Sequence, residues 1–147
     1  MLLENLLIAG LLVTITVVMH FMGLVALSWF LQRRWRKHAK RITSIVWQGS
    51  SVVITVLGLF ALHSLQIWVY AIAYILLDEF QTIEQALYFS TSTFTTVGFG
   101  DLVLDERWRM LSAAESANGF LLIGWSTAFL VSLTSRVRAF EADVEGA

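Results

Sequence analysis

Three long stretches of the chain carry almost no charge, and they limit what it can fold into more than any other feature. From Leu6 to Leu31 there is no Lys, Arg, Asp or Glu. From Ile42 to Leu77 there is again none, and from Met110 to Ser135 there is only Glu115. About 20 apolar residues suffice for a helix to cross the hydrocarbon of a bilayer, so each stretch predicts a transmembrane helix. Composition agrees, because only 14% of the 147 residues are charged, against about 25% in soluble domains. The first stretch does not read as a signal peptide. Its start, "MLLENLL", has no basic n-region, its apolar run is too long, and no small-residue cleavage site follows. The second stretch would be about 54 Å long if wholly helical. It must therefore tilt, or protrude through "TSIVWQGSS". With no cysteine in the chain, disulfides, thiolate metal sites and cysteine nucleophiles are excluded.

The loops set an orientation. Residues 32 to 41, "QRRWRKHAKR", are basic and contain no acid, which places them in the cytoplasm. Three spans then put the N-terminus outside and the C-terminus inside a cell membrane, plasma or inner. The segment between the second and third spans falls outside. It is rich in acids: Asp78, Glu79, Glu84, Asp101, Asp105 and Glu106, against Arg107 and Arg109. Trp29, Trp47 and Trp108 fall near the expected interfaces. The basic loop reads as a topology signal, with a dedicated lipid-binding patch as the other reading. Membrane lipid is thus an expected partner and nucleic acid is not.

The outer segment contains the least typical stretch of the chain, "TSTFTTVGFGDLVL" at residues 91 to 104. Hydroxyl residues and two glycines follow an apolar run. Thr82 and Gln85 fit a capping box with Thr82 as N-cap, and a helix from Ile83 to about Thr95 would be about 20 Å long. That is too short to span and too apolar to lie in water, so it predicts a helix that dips into the membrane and returns through "TVGFGD". Irregular backbone at membrane depth is allowed only where protein buries it or it lines a watery path. Gly98 and Gly100 alternate with Val97 and Phe99. Glycine takes left-handed backbone freely, so the alternation can aim successive carbonyls to one side and turn Val97 and Phe99 away. With the Thr96 hydroxyl, this makes a ladder of oxygens able to replace the water around a cation.

"TTVGFGD" resembles the selectivity filter of potassium channels, whose usual form is TVGYG. Together with the surrounding spans, residues 44–135 are similar to the two-span pore module of prokaryotic potassium channels. The resemblance implies an all-α membrane protein with three transmembrane helices, a re-entrant pore helix and a filter loop, assembled as a homotetramer around one pore. It divides the chain into a peripheral N-terminal helix (1–31), a basic cytoplasmic loop (32–43), the pore module (44–135) and a short cytoplasmic tail (136–147). Within the module it implies an outer helix at 44–77, a pore helix at 83–95, a filter at 96–101 and an inner helix at 108–135. Thr96, Val97, Gly98 and Phe99 would bind the permeant K+, the metal ion of the site, and Gly100 and Asp101 would form the mouth. Gly119 and Gly124 would serve as hinge or close-packing positions. Phe120, Ile123, Thr127 and Val131 would line the cavity and gate. No cofactor is implied beyond the permeating ion, and no enzyme activity. The tail "VRAFEADVEGA" is too short for a ligand-binding gating domain.

Departures from the family pattern matter. Phe99 stands where tyrosine is usual and cannot donate a hydrogen bond to the pore helix, where Tyr88 and Phe89 replace a tryptophan pair. Ser92 stands where some prokaryotic channels have a glutamate pairing with the filter aspartate, so Asp101 needs another partner or water. Ser92 and Glu115 are candidate filter braces, with Glu115 expected to meet hydroxyls such as Ser92 or Thr95; a proton sensor is the other reading of Glu115. His20 and His63 lie near mid-span, either as neutral hydrogen-bonded groups or as pH gates. The first span lacks gating charge. A non-selective cation channel and a non-conducting adaptor or transport subunit are the competing functions.

Overall fold

The structure is a computed structural model that describes residues 2–37 and 45–145. These residues form four helices and, among themselves, no strand: α1 (Leu2–Lys37), α2 (Ile45–Leu76), α3 (Ile83–Phe94) and α4 (Arg109–Glu145). Three helices are long and apolar enough to cross a membrane, over Leu2–Arg34, Gly49–Leu76 and Arg109–Ser135. Hydroxyls within them bond to carbonyls one turn back, as at Thr14, Thr55 and Ser64. Polar side chains are thereby satisfied where no water reaches.

Helix ends follow local chemistry. Thr82 is the N-cap of α3, and its hydroxyl accepts from Gln85 N at 3.3 Å. At the end of α2, Asp78 takes φ 62°. Asp78 N donates to Ile75 O and Glu79 N to Tyr74 O, a Schellman cap with aspartate where glycine is commoner. Two expected boundaries shift. The basic loop was expected from residue 32, yet α1 runs on to Lys37, because Arg and Lys are good helix formers whose stems can follow the apolar surface. The inner helix was expected to end at 135, yet α4 continues to Glu145, through a tail with no proline or glycine before Gly146. The rest of the expected loop, residues 38–43, lies outside the described residues.

α1 packs on α2 and α4, and α3 is wedged between α2 and α4. The α1–α2 crossing is close at two reciprocal places. A Cβ on Gly23 would lie 2.6 Å from the Leu62 methyls, and one on Gly58 would lie 3.1 Å from Leu27 Cδ1. Small residues let membrane helices approach in this way. The core sits where α2, α3 and α4 meet and holds Tyr70, Tyr74, Phe94, Leu111 and Leu122. Trp108, expected at an interface, is buried in this cluster. Glu4 pairs with Arg107 at 2.9 Å, and Asn5 donates to the Arg107 carbonyl. The start of α1 therefore lies at the same end as the loop that follows residue 101.

Candidate functional site

α3 carries the chain to the point where its backbone changes character. Thr95 caps the helix and donates its N–H to Thr91 O at 3.1 Å. Thr96, Gly98 and Gly100 then take φ 62°, 57° and 79°. Every second residue is left-handed. Glycine adopts this conformation without penalty, but a β-branched residue does not. Thr96 is thus strained by about 1–3 kcal/mol, and sequence reasoning assigned the left-handed places to the glycines alone. Its signal was position, two residues before Gly98 in an alternating series.

The direction of the carbonyls follows from the amides. No peptide bond among the described residues is cis, and across a trans peptide the N–H points opposite to the C=O. Gly98 N donates to Ser92 O at 3.1 Å, and Phe99 N donates to Ser92 Oγ at 3.2 Å. Both N–H groups face α3. The carbonyls of Val97 and Gly98 therefore face away from α3, one after the other, on the same side. Thr96 N, bonded to Thr93 O at 3.0 Å, turns the Thr95 carbonyl out likewise.

Two further contacts fix the loop. Tyr88 stacks on Phe99, with ring centroids 6.2 Å apart and planes 12° from parallel. Phe99 lacks a hydroxyl and is held by its ring face instead. Tyr88 OH donates to Asp101 Oδ2 at 2.7 Å, and Leu102 N donates to Oδ1 at 3.0 Å. Asp101 therefore has partners, and Tyr88, which sequence reasoning noted only as a replaced tryptophan, supplies one. Tyr88 and Ser92 are one helical turn apart, so one face of α3 serves the whole loop.

Glu115 is fully buried on α4. Its Oε1 lies 2.5 Å from Ser90 Oγ, and Tyr74 OH donates to Oε2. It thus joins α4 to α3 and α2 behind the loop. The expected partners Ser92 and Thr95 are not the ones used. Ser92 lies about 200° around the helix from Ser90 and turns to the loop, and Thr95 Oγ1 bonds back to Thr91 O. Four residues below, Gly119 touches the end of α3. A Cβ there would lie 2.0 Å from Phe94 O, whereas one on Gly124 would meet nothing within 4 Å. Close packing explains glycine at 119. Of the expected lining face, Phe120, Thr127 and Val131 are exposed, while Ile123 is half-buried against the core.

A family model described as an ion channel matches residues 60–136. The chain belongs to that ion channel family. The matched stretch holds most of α2, all of α3, the left-handed loop and α4 through its apolar part. A search of curated proteins gave no match, and neither did one of solved structures. Membership makes this channel-family chain a multi-pass membrane protein whose activity is passage of ions, which agrees with its three apolar spans. The loop at 96–101 lies within the family's own region of the chain.

Proposed function

We propose that the chain is one subunit of a potassium-selective channel, a homotetramer around a single pore. The observation that carries this reading is the loop backbone: left-handed residues at 96, 98 and 100, with carbonyls turned off the pore helix. Such oxygens can take the place of an ion's hydration shell. Thr96, Val97, Gly98 and Phe99 coordinate K+, Thr96 with its hydroxyl as well, and Gly100 and Asp101 shape the mouth. Gly124, with open space at its Cβ, is where α4 can bend. Phe120, Thr127 and Val131 face the cavity below the filter.

Backbone chemistry supports assembly of several chains. One chain offers one strand of carbonyls, which cannot face lipid unsatisfied. Val97 and Phe99 are also mostly exposed in the single chain. A cavity of about 380 Å³ lies open between α2 and α3, lined by Trp68, Thr91 and Thr95 among others, with Ile123 from α4; a neighbouring copy would cover it. The acidic mouth and the start of α1 share one end of the molecule. With the basic segment after α1 in the cytoplasm, the N-terminus and the mouth are outside a plasma or inner membrane. Liposomes loaded with equal potassium and sodium test the reading. Potassium efflux far faster than sodium efflux supports it, and equal rates would favour a non-selective cation pore.

A further inference from the structure

A helix that only packed against the pore module from the lipid side would have no use for buried polar groups. α1 buries Thr16 and His20 completely, and both bond to other helices. On α4, Asn118 Nδ2 donates to Thr16 Oγ1 at 2.7 Å and reaches Tyr70 OH of α2 at 3.1 Å. On α2, Gln66 Nε2 donates to the Thr16 carbonyl at 3.1 Å and approaches His20 Nδ1 at 3.2 Å. Gln66 Oε1 lies 2.9 Å from His63 Nδ1, and His63 Nε2 lies 2.9 Å from Ser126 Oγ on α4.

With both imidazoles neutral, donor and acceptor roles in this series of hydrogen bonds follow from its one carbonyl. A carbonyl only accepts, so the Gln66 atom facing Thr16 is its amide nitrogen. The second hydrogen of that nitrogen goes to His20 Nδ1. Gln66 Oε1 accepts, so His63 Nδ1 carries a proton and His63 Nε2 accepts from the Ser126 hydroxyl. The direction of donation runs unbroken from α4 through α2 to α1. The two imidazoles stack with centroids 5.4 Å apart, and His20 also meets the Trp125 ring of α4 at 5.2 Å. Only a side chain with two donor hydrogens and an acceptor can serve Thr16, His20 and His63 together, and Gln66 is that side chain.

The network grips α4 at Asn118 and at Ser126, about 12 Å apart along the helix. The upper grip adjoins Gly119, which rests on the last carbonyl of the pore helix. We propose that α1 is a positioning helix of the conduction pathway, with Thr16 and Gln66 setting where α4 stands against the pore helix. This rests on the reading of α4 as the pore-lining helix. Loosening either grip changes how long the pore stays open and leaves unchanged which ion passes.

Single-channel recording in planar bilayers with symmetric potassium tests it. Thr16→Ser keeps the hydroxyl and should match the parent. Thr16→Val should shift the ratio of open to closed time by roughly threefold to tenfold, the range for interhelical hydrogen bonds in membranes. Asn118→Leu should do the same, and the double variant should go no further than either single one. Should Thr16→Val not assemble, Ser126→Ala removes the lower grip with little loss of volume, and a shift of similar size is expected. A parent that conducts while Thr16→Val or Ser126→Ala leaves the open ratio unaltered overturns the positioning role alone. A parent without current overturns the pore reading too. A changed reversal potential in Thr16→Val contradicts the proposal, since the network would then act on ion choice.

Discussion

A methyl group on Gly98 would find space but not a suitable backbone. Nothing lies within 4 Å of its would-be Cβ, yet its φ is 57°. A left-handed alanine costs about 1–2 kcal/mol, incurred in every subunit of the proposed tetramer. Gly98→Ala is therefore expected to abolish selective current, and normal potassium current in that variant would refute the filter assignment. Glu115 is a second residue-scale case. Glutamine there can donate to Ser90 and accept from Tyr74, keeping both contacts. Alanine leaves the buried Tyr74 hydroxyl without its partner, at about 1–3 kcal/mol, while Ser90 keeps only its bond to the Ile67 carbonyl. Glu115→Gln should conduct like the parent, and Glu115→Ala should lose assembly or open unstably. A pH response present in the parent and lost in Glu115→Gln would instead mark a proton sensor. At this scale the alternation of Gly98 and Gly100 was legible because only glycine takes left-handed backbone cheaply. Thr96 was not, because its residue type argues against the conformation it adopts. The Ser90 contact was hidden too, since the rotation of α3 about its own axis is set by tertiary packing.

Helices were read from the sequence better than their ends. Uncharged runs located α1, α2 and α4, and the Thr82 cap located α3, because burial in lipid and an orphan N–H group each leave a local mark. Ends in basic or mixed segments left none, so α1 and α4 extend past the expected limits to Lys37 and Glu145. The two glycines of α4 separate at this scale. Both looked alike as small positions on an apolar helix, but only one meets another backbone. Gly119→Ala would drive a methyl into the Phe94 carbonyl, which is main chain and cannot turn aside. It is expected to displace α3 from α4 and to lower the yield of assembled channel severely. Gly124→Ala should assemble normally. Size-exclusion profiles in mild detergent compare the two directly, and equal yields would show that α3 and α4 are not in contact at 119.

The whole molecule keeps basic residues out of its apolar runs. No Lys or Arg lies within Leu6–Leu31, Ile42–Leu77 or Met110–Ser135, so no helix can carry basic gating charge through the field. Moving one charge through 100 mV yields about 2.3 kcal/mol, and this chain has no basic residue placed to use it. Open probability should vary little with voltage in symmetric potassium, and a steep dependence without blocking ions would contradict that. Three spans and a short helix were legible as a whole because each leaves a long uncharged or capped run. The links between them were not: Thr16, Gln66 and Asn118 are ordinary polar residues until folding brings three helices together. Selectivity is the central claim, and the reversal potential tests it most directly. The purified protein is placed in a planar bilayer with potassium concentrated on one side and sodium on the other. Reversal close to the potassium equilibrium potential is the expected result, and reversal near zero would contradict it.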